Sequence, residues 1–288
     1  MKTMQPILPK IKKTLIKWVK LFLWCVALIF LISWFFPKKI PFIDTMRVSL
    51  QQSFFSSISA LRYPNISANN SATQNTVLKK TQTMLAPWDI IFSYRAWFVT
   101  NDFIDGKWKH ASVYLWNKNT LKKFMKKNNL SLPEDQWNFT QRKSSDMLII
   151  DSTEHWVTIR SLKDLTYLDD ILIVRPMKSQ TLKDAMMITL IKQLWKPYNY
   201  DFDINDSSSI YCAQLIHQAL TTTDIHIPYT SFAWRAFLYP QDIVDYIFAT
   251  GINAKEFTVV TAIKNVQSIP VFYNYDDMLN LHLQQIDQ

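Results

Sequence analysis

Hydrophobic and polar positions along the chain fall into three regimes. The first 20 residues interleave lysines with Ile11, Leu15, Ile16 and Trp18, and the run Leu21 to Phe36, LFLWCVALIFLISWFF, carries no charge. With Trp18, Val19 and a snorkelling Lys20, this run reaches about the 17–25 residues of a membrane-spanning helix. Trp34, Phe35 and Phe36, followed by Pro37, Lys38 and Lys39, give it an aromatic and basic interfacial end. No small-x-small cleavage site follows Phe36 directly, so a retained anchor is expected over a cleaved signal peptide. Six lysines precede the run, against Lys38, Lys39 and Arg47 soon after it. That bias predicts a single-pass span with its N-terminus inside and the body outside the cytoplasm.

The second regime is mildly amphipathic. Residues 41–63 predict a helix lying near the bilayer surface. Residues 65–76, NISANNSATQNT, are small, polar and almost uncharged, and they read as a linker. The expected division is therefore a basic N-terminus and anchor over 1–39, a juxtamembrane segment and linker over 40–76, and a folded body over 77–288.

The body alternates between strand and helix patterns. A helix-like VLKKTQTML opens it, and WDIIFS, ASVYLW, MLIIDS, VTIRSL and DILIVRP read as short strands, the last stopped by Pro176. An amphipathic lysine-rich helix is expected over 121–129. Another is expected from Leu182 to Trp195, with Leu182, Ala185, Met186, Thr189, Leu190 and Gln193 along one face. A polar loop ending in Ser207, Ser208 and Ser209 supplies good N-cap residues for a third helix, in which Leu215, Ile216, Ala219 and Leu220 recur at helical spacing. A Pro- and aromatic-rich stretch and a strand pair, FTVVTAI and IPVFYNY, complete the chain. The fold class is α+β, with strands concentrated before the third helix.

Composition removes several functions. Gly106 and Gly251 are the only glycines, which excludes Gly-rich phosphate loops. The net charge of +9 is local: eight lysines and no acidic residue precede position 40, leaving 24 basic against 23 acidic residues in the rest. Nucleic-acid binding needs cations clustered on the folded domain and is not expected. No CxxC, HxxxH or HExxH pair is present, so neither a metal nor an organic cofactor is implied. Cys25 lies in the apolar run and Cys212 in the body, so no disulfide between them is expected.

That leaves Cys212 as an unpaired thiol in the first turn of a helix. There the orphan N–H groups and the positive end of the helix dipole favour a thiolate. A nucleophile needs a base within reach and a third group to orient it. His217, five residues later, lies roughly 140° around the helix and points elsewhere. His226 and His282 fall in weakly patterned regions, and His155 adjoins a turn. His110 opens a buried-looking strand, where an imidazole requires partners. It is the candidate base, or else a hydrogen-bonded structural histidine. Asp151, closing the next apolar strand, is either its orienter or a solvated turn residue.

The succession PWDIIFS, KHASVYLW, MLIIDST, ILIVRP and PYNYDFD…YCAQLIHQAL resembles the permuted papain-like amidases of the YaeF/YiiX type, circularly permuted relatives of the NlpC/P60 cysteine peptidases. The resemblance spans roughly residues 84 to 222. It implies a circularly permuted papain-like fold in which the histidine comes early, an acidic or other polar residue follows, and the cysteine comes last at a helix start. By motif, His110 matches the family histidine, Asp151 the acidic residue, and Cys212 the Tyr-Cys nucleophile.

This sequence departs from the family pattern in three places. Trp88 stands where a glycine usually precedes Asp89. Trp195 and Lys196 stand where a glycine usually precedes Pro-Tyr. Asp151 replaces a common glutamate, with Glu154 as the fallback orienter.

The implied activity is hydrolysis of an amide, peptide and possibly of cell-wall type, or of an ester, with Tyr211, Tyr198 and Asp201 as cleft neighbours. Two alternatives stand beside it: a lipid-acyl hydrolase or acyltransferase on the same fold, and an inert membrane-tethered binding module. The expected partners are a peptide or lipid substrate and the membrane.

Overall fold

The structure is a computed structural model that describes residues 8–35, 41–59, 61, 71–96, 99–131, 146–232, 235–264, 270–274 and 276–278. The chain divides into two compact units, Met1–Ser57 and Ile58–Gln288.

The first unit is helical. Helix α1 runs Leu8–Phe35 and α2 runs Pro41–Ser59. Several large apolar side chains of α1 face outward, among them Phe22 and Trp24. Among the described residues no helix is long and apolar enough to cross a membrane. Part of the expected span, including Phe36, lies outside the described residues.

In the second unit the expected strands appear, two of them (β3 and β5) to the residue: β1 Ile90–Tyr94, β2 His110–Asn117, β3 Met147–Ser152, β4 Val157–Ser161 and β5 Asp170–Pro176. They are rich in β-branched and aromatic residues, and turn or helix signals bound them. After the cysteine helix come the small hairpin β6 Thr230–Phe232 and β7 Arg235–Phe237, then β8 Phe257–Lys264 and β9 Val271–Tyr273. Seven strands form one sheet in the order β4-β3-β2-β1-β5-β8-β9, and every pairing in it is antiparallel.

Each face of the sheet carries its own apolar layer, as alternating side chains require. One layer joins Ile90, Phe92, Val113, Leu148, Ile150 and Val174 to the helices. The helices are α4 Lys118–Lys127, α5 Gln180–Lys192, α6 Cys212–Thr221 and α7 Pro240–Tyr246. The other layer joins Ile91, Tyr114, Ile149 and Ile173 to Val77 of α3, Ser71–Met84, and to Leu162 and Leu168.

Three local expectations are corrected. The second half of the expected linker, residues 71–76, forms the first turns of α3; its first half lies outside the described residues. Of the face expected along α5, Met186 and Leu190 are buried; Met187 and Ile191 complete the buried face in place of Leu182, Ala185, Thr189 and Gln193, because the helix packs against α6. The serines at 207–209 do not cap α6. Ser208 and Ser209 donate instead to Asp206 (2.7 and 3.2 Å), and the N-cap position falls to Tyr211, whose N–H donates to Gln214 Oε1 at 3.2 Å.

Scarcity of glycine shows in the backbone. Among the described residues, six non-glycine residues take positive φ, including Trp88 (76°) and Trp195 (71°). These are the two positions where the resembled family carries glycine. Trp88 is the third residue of a turn closed by Asp89 N–H donating to Ala86 C=O (3.1 Å). Pro87 precedes it, as in a type II turn, whose third position requires positive φ. Trp195 ends the turn after α5 and donates its N–H to Val157 C=O at 2.9 Å. Both indoles pack against the helix-side core, which supplies the burial that offsets a left-handed backbone.

Candidate active site

Cys212, His110 and Asp151 come from three elements that meet at one end of the sheet. His110 is the first residue of β2, and Asp151 is the penultimate residue of β3, the antiparallel neighbour. Ser112 sits opposite Asp151 in the ladder. His110, two residues before Ser112, therefore lies on the same face and diagonal to the carboxylate, within reach of its side chain. His110 Nε2 and Asp151 Oδ2 are 2.9 Å apart.

The next residue of β3 performs a different task on the opposite face. Ser152 Oγ donates to the carbonyl of Ile210 at 2.5 Å. That bond fixes the segment just before Cys212 against the strand carrying Asp151. Ile210 N–H donates to Pro197 C=O (2.9 Å), and Gln214 Nε2 donates to Ile204 C=O (3.1 Å) and Asp206 C=O (2.6 Å). The loop is thus folded back on the start of α6. Cys212, a buried free thiol at the first helical position, lies close enough to His110 to act on its imidazole. With Nε2 facing Asp151, Nδ1 is the ring nitrogen left for the sulfur.

The approach to His110 is also held. Gly106 has φ 75°, and a Cβ there would collide with Gln241. That close approach lets Gln241 Oε1 accept from Lys107 N–H (2.9 Å) and Trp108 N–H (3.2 Å), just before β2 begins.

The electrostatics of the pair are set by burial and by specific partners. Burial opposes the His110 imidazolium. The hydrogen bond to Asp151 and the proximity of Cys212, together with the charges on both, outweigh it and raise His110 to about 9. Burial likewise opposes the Asp151 carboxylate. The Arg160 charge and the bonds to His110 and Arg160 overcome that and hold it at about 2. Arg160 of β4 donates from Nε to both carboxylate oxygens at 3.1 Å, and its other nitrogen contacts Oδ2 as well.

Sequence reasoning missed Arg160. The one available signal was a cation in the otherwise apolar and small-residue strand VTIRS.

The remaining candidates separate. Glu154 and His155 are about half exposed and face each other at 4.0 Å, and what Tyr200 Oη contacts is the Glu154 backbone carbonyl. Asp151, not Glu154, meets the imidazole. Tyr198 lies close enough to Cys212 that burial, first, and the sulfur's charge both push its phenol well above the ordinary value. Tyr211 is buried; its hydroxyl accepts from Leu238 N–H (3.2 Å) and its ring packs on Phe202 (5.3 Å), so it braces the loop. Asp201 faces Arg235 at 3.5 Å and likewise belongs to loop packing. His217 packs against Tyr229 (6.1 Å), away from the thiol, as the helix geometry requires. His226 is exposed, and His282 lies outside the described residues. Among the described residues no group of three His, Cys, Asp or Glu side chains could hold a metal ion.

A thiol at a helix start, an imidazole on a neighbouring strand and a carboxylate behind it is the arrangement of a papain-like cysteine hydrolase. The order along the chain, histidine first and cysteine last, is that of a permuted one. Comparison with known proteins agrees: the profile of the permuted papain-like amidase enzymes, YaeF/YiiX, C92 family, matches residues 84–267, and the chain belongs to that family. It is therefore an enzyme of a cysteine amidase family with a thiol nucleophile. Among solved structures it is similar to that of metalloprotein YiiX from Escherichia coli O157:H7, with 11% identity and a TM-score of 0.44, over 61% of this chain and 96% of that one. No match was found among curated proteins.

Proposed function

We propose that this protein is a membrane-anchored cysteine hydrolase that cleaves an amide or ester bond through Cys212, His110 and Asp151. The observation that carries the reading is the position of His110, 2.9 Å from Asp151 and within electrostatic reach of the Cys212 thiol. An imidazole raised to about 9 is a strong acceptor for the proton of a neighbouring nucleophile.

In the first step His110 takes the thiol proton and the sulfur attacks the carbonyl carbon. The Cys212 N–H, at the first position of α6, has no acceptor within its own helix and is available to the developing oxyanion. His110 then returns the proton to the leaving amine or alcohol. Water, activated by the same imidazole, releases the acyl group from the sulfur. Asp151 holds the ring in the tautomer that leaves Nδ1 free for both transfers.

Anchoring rests on the sequence alone, on the uncharged run Leu21–Phe36. The lysine bias supports an enzyme domain outside the cytoplasm, where a cell-wall-type peptide is an available substrate. A lipid acyl substrate is the second reading, favoured by Trp156, which stands 46% exposed in the turn that follows Asp151.

The experiment is labelling of the full chain with a thiol-reactive acyl probe, followed by turnover of peptide and lipid-acyl substrates. Cys212→Ala and His110→Ala should each abolish labelling and turnover. Retained activity in either variant sinks the mechanism.

A further inference from the structure

The sheet presents two neighbours to Asp151 on one face, one strand to either side. His110 reaches it diagonally from β2. Arg160, opposite Ile149 in the β3–β4 ladder, reaches it diagonally from β4. The guanidinium spans both carboxylate oxygens, while Oδ2 also meets His110. A buried carboxylate bound this way has little freedom to rotate, because the planar guanidinium fixes its plane. The strand carrying Arg160 is braced in turn. Val157 N–H donates to Lys196 C=O (3.0 Å) and Trp195 N–H to Val157 C=O, so the loop leading to the Tyr-rich segment pairs with the first residue of β4.

We propose that Arg160 is a positioning residue of this site: it clamps Asp151 so that one carboxylate oxygen stays aimed at His110 and stays anionic. The inference rests on the Cys212–His110–Asp151 reading and assigns it a fourth member that acts only through Asp151. The charged and titratable groups around Asp151 are few. His110 faces it from β2 and Arg160 from β4, and Cys212 of α6 stands beyond the imidazole. Asp164 touches Arg160 from the far side at 3.8 Å, and Glu154 acts on Arg160 from the β3–β4 turn.

The test needs no natural substrate. The rate of Cys212 alkylation by iodoacetamide, read by mass spectrometry on the Cys212 peptide, is followed against pH in the full chain. In the wild type, Cys212 should alkylate faster at acid pH, on the acid limb of this profile, than free cysteine does. Arg160→Met removes the clamp, so Asp151 protonates at higher pH. His110 then loses its anion and the acid limb moves up by about one unit or more. The alkylation rate at pH 5 should fall about tenfold, while the rate at pH 7 changes less than about threefold.

If circular dichroism shows Arg160→Met unfolded, Arg160→Gln, which keeps a donor toward Asp151, is measured in its place with the same expected shift. In Arg160→Ala, added guanidinium ion should move the limb back toward the wild-type position. A folded neutral variant whose limb coincides with the wild type overturns the assignment of Arg160 alone. A wild-type thiol that alkylates like free cysteine overturns the underlying triad instead.

Discussion

Two aspartates at the ends of sheet strands are fully buried, and each is gripped by an arginine that is about a third exposed, yet their proton affinities shift in opposite directions. Asp89, at the start of β1, receives Arg175 Nε at 2.7 Å, the second Arg175 nitrogen at 2.8 Å and Ala86 N–H at 2.8 Å. Burial still wins there, and its carboxyl is raised above the usual range. Asp151 is buried as deeply, but Arg160 and the His110 imidazolium together overcome the desolvation and hold it at about 2. One cation offsets the desolvation of a buried carboxylate incompletely; a cation on either side more than offsets it. The first arrangement pins a turn, because Arg175 also donates to Met84 C=O (2.8 Å) and ties the end of α3 to Asp89. The second suits a site that must stabilise a positive imidazole.

The sharpest break between the two is catalytic. Asp151→Ala should lower kcat/KM per folded molecule by about 10²–10⁴-fold. Asp89→Ala should leave that ratio within about threefold once the unfolded fraction is removed, since it touches none of the three groups in the mechanism. Equal losses in the two variants would erase the distinction.

Stability should rank them the other way. Asp89→Ala strands three donors, two of them on Arg175, and chemical denaturation should report a loss of about 3 kcal/mol.

A third difference is pH dependence. Asp151's folded value lies below its unfolded one, so its ionisation stabilises the fold above about pH 4. That contribution is lost as pH falls toward 2, amounting to about 2 kcal/mol. Asp89, with a raised value, works in the opposite sense: ionising it costs stability as pH rises through its folded value. Urea midpoints of the wild type and Asp151→Asn between pH 2 and 5 should therefore converge on acidification; parallel curves would contradict the assignment.

Near the Asp89 turn, Trp88→Gly should relieve about 1 kcal/mol of backbone strain. It also forfeits a ring packed edge-on against Trp116 at 5.3 Å, for a net loss of about 2 kcal/mol in the same assay. A gain in stability would mean that the indole does not compensate its backbone.

The smallest effect belongs to Glu154→Gln, which should leave kcat/KM within about twofold, because its half-exposed side chain faces His155. A large loss would move the orienting role from Asp151 to Glu154.

Much of the fold was legible because its signals are local. Strands β3 and β5 appear where apolar, β-branched runs end at a polar residue or a proline, and α6 begins where a polar loop yields to helical spacing. Burial of α5 was misjudged because its apolar residues nearly encircle it, so the choice of face belonged to its neighbours. The serine caps failed because Asp206 competes for the same hydroxyls, and no spacing rule reveals which partner wins.

By itself the sequence determined the strand and helix inventory, a thiol at a helix start, and a histidine and an aspartate at strand ends. Chain order and residue chemistry are enough for that. Only the tertiary structure decided that Asp151 rather than Glu154 meets the imidazole and that Tyr211 braces rather than lines the site. It also decided that Arg160 stands behind Asp151. Those outcomes depend on ladder register, where a shift of one residue would turn His110, Asp151 or Arg160 to the other face. Register is fixed by the two packed cores as a whole, not by the residues that carry the chemistry.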